Sequence, residues 1–361
     1  MDSIEQIQSA VHSAKSENRQ LAVVGGGSKS FYGREIAGEP LSMSVYSGII
    51  EYQPTELVIT AKSGTPIETI NRILEENNQK LGFEPPVFGS SSTLGGVIAA
   101  GLSGPARPYS GGIQDFVLGV KILSGNGEVL NFGGKVIKNV AGFDVSRLMV
   151  GAMGCLGVLL EISLKVVPIP EVEKTVCIVQ PEISDAIAMM NSLAARPVPI
   201  SAAAWVEGMT RIRLSGSEKG VQSALNSICG AFSPSEQDIE ADSFWQGLQN
   251  LTHSFFDNQN MLYRASVKPS TGALYDDQGT LVDWGGAVRW YCLANDDQNA
   301  KNNLSEAVTN AGGHLEIFRN GDRSREVMAP VKPPIMQLQK RLKAMFDPGR
   351  ILNPGRMYQE L

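Results

Sequence analysis

Three stretches of this chain combine residue types that can do chemistry. Strand-like Leu21 to Val24 runs into Gly25-Gly26-Gly27-Ser28-Lys29-Ser30. Successive glycine amides with two hydroxyls and a lysine make a nest suited to phosphate oxygens, a tight surface turn being the alternative. Two nucleotide motifs are excluded here: a P-loop needs glycine where Ser28 stands, and the dinucleotide fingerprint needs a third glycine where Ser30 stands. The second stretch is Phe88-Gly89-Ser90-Ser91-Ser92-Thr93-Leu94-Gly95-Gly96. Hydroxyls and bare amides at a helix start suit a pyrophosphate, or else a capped helix packed closely through its Gly and Ala residues. The third runs from Lys138 to Glu161 and places Gly151, Gly154 and Gly157 three apart. Glycines so spaced beside a buried strand imply a backbone lying close to something large and flat. Lys138 and Asn139 either touch that ligand or cap the turn. Arg107 is a candidate partner for a phosphate or a carboxylate, or a solvated loop arginine.

The elements that must position these residues are legible as patterns. Ser3-Ile4-Glu5-Gln6 reads as a capping box before Ile7 and Val11. Thr65-Pro66-Ile67-Glu68 reads as a second one, with proline at the first helical position. Phe116, Leu118, Val120 and Ile122 alternate into a hairpin at Gly125-Asn126-Gly127. Leu156, Val158, Leu160, Ile162, Leu164 and Val166 alternate strictly, which places them on one face of a strand. After Pro168-Ile169-Pro170 glycine thins out, and short strands alternate with amphipathic helices as in a separate α+β domain. There Trp205, Trp245 and Trp290 read as core. Ile335, Leu338 and Leu342 mark a last helix, closed by Phe346-Asp347-Pro348-Gly349-Arg350 and the stiff turn Ile351-Leu352-Asn353-Pro354-Gly355.

Composition narrows the function classes. The 361 residues carry a net charge of −6, with 42% apolar and 19% charged residues. That length favours two domains, and the charge argues against a nucleic-acid partner. Cys155, Cys177, Cys229 and Cys292 lie far apart without a CxxC, and His12, His253 and His314 are scattered. No zinc or iron–sulfur signature is evident, so no metal is expected, and the cysteines read as buried free thiols. The polar, acidic N-terminus reads as neither signal nor transit peptide. No run of about 18 apolar residues is present, so no transmembrane segment is expected.

Taken together, the Gly25–Ser30 loop, the SSSTLGG segment, KNVAGFDVSRLMVGAMGCLGVLLEI and the closing FDPGRILNPG resemble the flavin-binding fold of vanillyl-alcohol oxidase and p-cresol methylhydroxylase relatives. GPARPYSGGIQDFVLGVKILSGNGEVLNFGG, followed by KNVAGFDVSRLM and GCLGV, is most similar to the FAD-binding E subunits of bacterial glycolate oxidases. The resemblance is strongest over the first 170 residues, good at the C-terminus and thin over 171–330.

It implies an α+β protein: a two-subdomain flavin-binding domain over 1–170, a smaller α+β cap over 171–330 on the substrate side, and a C-terminal segment, 331–361, returning to the first domain. It places the FAD pyrophosphate among the amides of Gly25, Gly26, Gly27 and Ser28, near Lys29, and those of Ser92, Thr93, Gly95 and Gly96. The flavin and adenine portions would run along Gly111, Gly112, Gly151, Gly154, Gly157 and Val158, with Asn353 on the same edge. Relatives that bind flavin covalently do so through a His or Cys near the first loop; GGGSKSFYG has neither, so dissociable FAD is expected. The function implied is that of the FAD-binding subunit of a cytoplasmic complex, attached to the inner membrane only through partners. That complex oxidises glycolate, or a similar small 2-hydroxy acid, to glyoxylate, with a larger FAD subunit and an iron–sulfur subunit. A self-sufficient 2-hydroxy-acid dehydrogenase and a non-catalytic FAD-bearing scaffold are the other readings. No histidine cluster marks a base, and the catalytic residues stay unassigned.

Overall fold

A computed structural model describes residues 3–134, 144–232, 240–275, 279–295 and 297–361. The chain forms two compact units, one of Met1–Ser103, Gly112–Pro168 and Asp322–Leu361, the other of Gly104–Gly111 and Ile169–Gly321. Both are α+β.

In the first unit, helix Ile4–Ser16 begins where Ser3 Oγ accepts the Gln6 amide, and it buries Ile7, Val11 and Ala14. Strand Leu21–Val24 pairs in parallel with Glu39–Ser42 and is bridged in parallel at Leu21 by Leu352. Five antiparallel strands form the main sheet, in the order Ile49–Gln53, Val58–Lys62, Val158–Lys165, Val117–Leu123 and Val129–Gly133. Helices Ile67–Glu75 and Leu94–Ala100 bury Ile70, Leu74, Leu94 and Ile98 against one set of its side chains. A second core joins Leu123 to Ile7, Val11, Leu21 and Leu352.

The alternating residues after Leu156 do not share one face. Val158 and Leu160 enter the second core, whereas Ile162, Leu164 and Val166 enter the first. The register shifts opposite Lys121 and Ile122, and one extra residue in a strand exchanges its faces. Thr65 does not cap the helix at Ile67 either. Its hydroxyl is engaged by the Gly48 amide and carbonyl, and the Ile67 amide is taken by Ser92 O.

The second unit is built on seven antiparallel strands, ordered Val172–Val179, Met209–Gly216, Ile200–Val206, Thr280–Asp283, Val288–Leu293, Met261–Ser266 and His314–Arg319. Helices Ile183–Ala194 and Glu218–Ala231 pack on Val176, Trp205 and Ile212. Helix Gln298–Asn310 packs on Tyr263 and Tyr291. Trp205 and Trp245 are core residues whose indole N–H groups donate to Gln180 O and Thr175 Oγ1.

On helix Pro333–Phe346, Ile335 and Leu338 are exposed, Leu342 packs on the first core, and Lys343 and Phe346 are buried. The cysteines also divide. Cys155 and Cys177 are buried, Cys292 is half-buried and Cys229 is exposed, so a uniformly buried set is not what forms.

Candidate functional site

The site is built where strand Leu21–Val24 ends. A Cβ on Gly26 would fall 1.5 Å from Ser91 O, and one on Gly25 2.3 Å from Thr93 Oγ1. Bare backbone is therefore what lets the first glycine loop lie against the serine-rich segment. Among the described residues, no acceptor meets the amides of Gly25, Gly26, Gly27, Ser28 or Lys29, whereas the Ser30 amide returns to Gly27 O. A run of unengaged amides on a tight turn is an anion nest. Lys29 Nζ donates to Ser92 Oγ at 2.7 Å and lies 5.4 Å from the Phe88 ring centroid. Burial pushes its ammonium pKa down to about 8. A desolvated cation facing neutral hydroxyls would be stabilised by a phosphate.

The serine-rich segment contributes differently from the sequence expectation. Thr93 caps helix Leu94–Ala100 by accepting the Gly96 amide at 3.3 Å. The Ser92 amide goes to Gly89 O and the Gly95 amide to Ser63 O. Three of the amides expected at a pyrophosphate thus already have partners within the chain. The unengaged donors are concentrated in the Gly25–Lys29 loop, and the helix start is its wall.

The opposite wall comes from the third glycine stretch. The Gly151 and Met153 amides donate to Ile98 O and Ala99 O. Gly154 takes a left-handed φ of +73°, and a Cβ there would meet Asn353 Nδ2 at 2.7 Å. Asn353 Oδ1 accepts the Val23 amide at 2.7 Å, and its Nδ2 donates to Met153 O at 2.6 Å. This side chain clamps the strand that leads into the loop to the turn before Gly154. Gly157 backs onto Ile122, and the Val158 side chain is buried in core, leaving only its backbone for a ligand.

Two adjoining cavities result, of about 160 and 60 Å³, and Gly25, Thr93, Gly96 and Asn353 line both. Gly26, Gly27, Ser28 and Lys29 line the larger; Gly95, Gly154 and Gly157 line the smaller. Ser92 reaches the larger one through its bond to Lys29. Gly111 closes the Gly104–Gly111 segment of the second unit with φ +102°. Gly112 opens the return to the first unit, its amide donating to Asp115 at 2.8 Å. Neither lines the cavities. Lys138 and Asn139 lie outside the described residues. Sequence reasoning passed over Arg356, which lines the larger cavity. It donates to Arg34 O and Ser30 O at 2.9 Å, and burial pushes its pKa down to about 10. Its signal was available as the basic residue directly after the stiff ILNPG turn.

The histidines do not converge. His253 accepts the Phe255 amide and burial lowers its pKa, while His314 is exposed on the strand His314–Arg319. Among the described residues, no group of three His, Cys, Asp or Glu is placed to hold a metal ion.

Comparison with known proteins identifies the ligand class. Residues 1–133 match the family model of an FAD binding domain. The chain is 42% identical to glycolate oxidase subunit GlcE of Escherichia coli (strain K12), covering 97% of this chain and 96% of that protein. It is 26% identical to glycolate oxidase subunit GlcD of Bacillus subtilis (strain 168), over 86% and 77% of the two chains. A solved alkyldihydroxyacetonephosphate synthase shares the fold at TM-score 0.71 and 16% identity, covering 98% of this chain and 75% of that one. The fold is that of flavin-binding proteins of the p-cresol methylhydroxylase type, and the cofactor is FAD.

Proposed function

This chain belongs to the family of glycolate oxidase subunit GlcE, and on that premise we propose that it is the FAD-carrying subunit of a complex oxidising glycolate to glyoxylate. A larger FAD subunit and an iron–sulfur subunit complete the complex and take the electrons onward. The assembly is cytoplasmic, with any hold on the inner membrane made by those partners. The observation that carries the reading is the Gly25–Lys29 nest, whose amides are unengaged among the described residues and stand beside a buried ammonium.

In this reading the loop amides and Lys29 hold the pyrophosphate. Gly154, Gly157 and Asn353 shape the slot beside it, and the second unit forms the substrate-side domain. Bound FAD supplies the hydride acceptor for the carbon that bears the substrate hydroxyl. Neither cavity is lined by His or Cys, which supports FAD that dissociates; acid precipitation should leave its yellow colour in solution.

The test is the visible spectrum of the purified chain under anaerobic glycolate, alone and then with its partner subunits. We expect a flavin spectrum that stays oxidised until the partners are added. Bleaching by glycolate alone would make the chain a dehydrogenase in its own right, and a chain that never takes up FAD would overturn the reading.

A further inference from the structure

The smaller cavity holds a polar group that the chain itself leaves unanswered. Ser63 directly follows strand Val58–Lys62 and lines that cavity. Its backbone is held from two sides: the amide donates to Leu160 O, and the carbonyl accepts the Gly95 amide, each at 2.7 Å. The main sheet and the start of helix Leu94–Ala100 therefore meet at this residue. A Cβ on Gly95 would fall 2.8 Å from Ser63 Cβ, so bare backbone there lets the helix close over the serine. Ser63 is 2% exposed, and its hydroxyl oxygen has no hydrogen-bond partner among the described residues. The other polar side chains lining this cavity are engaged. Thr93 Oγ1 accepts the Gly96 amide, and Asn353 is bonded at one end to Val23 and at the other to Met153. The rest of the lining is glycine and apolar, with Val23, Met43, Ala99, Met153 and Leu159. A buried hydroxyl without a partner destabilises the chain that carries it, and native proteins keep such groups few.

We propose that Ser63 is a cofactor-binding residue whose hydroxyl hydrogen-bonds FAD in the smaller cavity. The inference rests on the reading above that the two cavities hold FAD, and it adds a residue to which neither the glycine motifs nor the amide nest points. The loop amides and Lys29 line the larger cavity and suit the charged pyrophosphate. Ser63 suits a neutral part of the cofactor: a hydroxyl both donates and accepts, so a carbonyl, a ring nitrogen or a hydroxyl satisfies it. In a slot made of apolar side chains and bare backbone, one placed polar group is what fixes a ligand's orientation. The same group acts with opposite sign in the two states of the protein. Without FAD the hydroxyl is buried and unanswered; with FAD it is bonded.

The test compares Ser63→Ala with the unmodified full chain, each as apoprotein and loaded with FAD. Fluorescence titration should show FAD bound about three- to tenfold more weakly, the range for one neutral hydrogen bond. The melting temperature of the apoprotein should hold or rise, because the substitution removes an unanswered buried hydroxyl. The FAD-loaded variant should melt below its unmodified counterpart. A serine that merely supports the fold would lower both melting temperatures, and that result overturns the proposal. Ser63→Cys nearly keeps the side chain's size but carries a weak donor, and it should bind FAD as weakly as Ser63→Ala. Full affinity in Ser63→Cys would show that the filled space, not the hydrogen bond, matters, and would overturn the assignment. So would unchanged FAD affinity in folded Ser63→Ala, an outcome that leaves the functional reading standing. An unmodified chain that takes up no FAD overturns that reading and this inference with it.

Discussion

Lys29 carries a burial cost that only an anion beside it would offset. In the cofactor-free chain its pKa sits near 8 because the ammonium is desolvated. A phosphate within hydrogen-bond reach favours the charged form and raises that value, so FAD binding takes up a proton above pH 8. FAD affinity should therefore be flat below about pH 8 and fall as pH rises toward the higher, bound-state pKa. Lys29→Met should bind FAD about tenfold or more weakly, as expected for losing a charge-assisted hydrogen bond, and should lose the alkaline decline. Fluorescence titration of apoprotein from pH 7 to 9.5 reads both effects, and an unchanged decline in Lys29→Met would place the titrating group elsewhere. Gly154 is a second single-residue lever. Valine there faces both a left-handed φ and the amide of Asn353, a strain of about 1–3 kcal/mol before any displacement. Gly154→Val should lower the melting temperature and the flavin content together, because displacing Asn353 releases Val23 and Met153 at once. A variant that keeps both would show that the clamp is dispensable.

Among the elements, the C-terminal return holds the site from behind. Lys343 donates to Asp347 Oδ2, Cys155 O and Leu352 O, and Asp347 accepts the amides of Ile351 and Leu352. This buried pair fixes the short segment whose Ile351 O and Asn353 amide bond to Leu21. Removing one partner strands a buried charge, so Lys343→Met should cost about 3–5 kcal/mol, measured by urea unfolding; a loss under about 1 kcal/mol would mean that Asp347 is satisfied by the two amides without it. This element also marks the limit of what is legible in a sequence. Ile335, Leu338 and Leu342 announced the helix correctly, but the burial of Lys343 on it was not readable, because hydropathy cannot register an acid and two carbonyls waiting inside. Alternation from Leu156 to Val166 announced the strand, but the bulge that splits it between two cores depends on the partner strand. The loop at Gly25 was readable as an amide nest because its donors are local. The capture of the Gly95 amide by Ser63, and of Thr65 by Gly48, was not readable, since each acceptor comes from a distant part of the chain.

At the scale of the whole molecule, the chain leaves the first unit after Ser103, re-enters it at Gly112, leaves again after Pro168 and returns at Asp322. The first unit is therefore complete only when the last 40 residues, Asp322–Leu361, have come back to it. The apolar cores respect this division: the two around the five-stranded sheet draw on one unit, and those on the seven-stranded sheet draw on the other. The two cavities proposed above to hold FAD belong wholly to the first unit. A ligand stabilises only the state that binds it, by about 2.7 kcal/mol at a hundredfold excess over its Kd. Added FAD should therefore raise the unfolding temperature of the first unit and leave that of the second in place. Differential scanning calorimetry of the apoprotein should resolve two transitions, of which one moves with FAD. A single transition that moves as a whole with FAD would show that the two cores melt cooperatively, and the binding energy of the cofactor would then be shared by the entire chain.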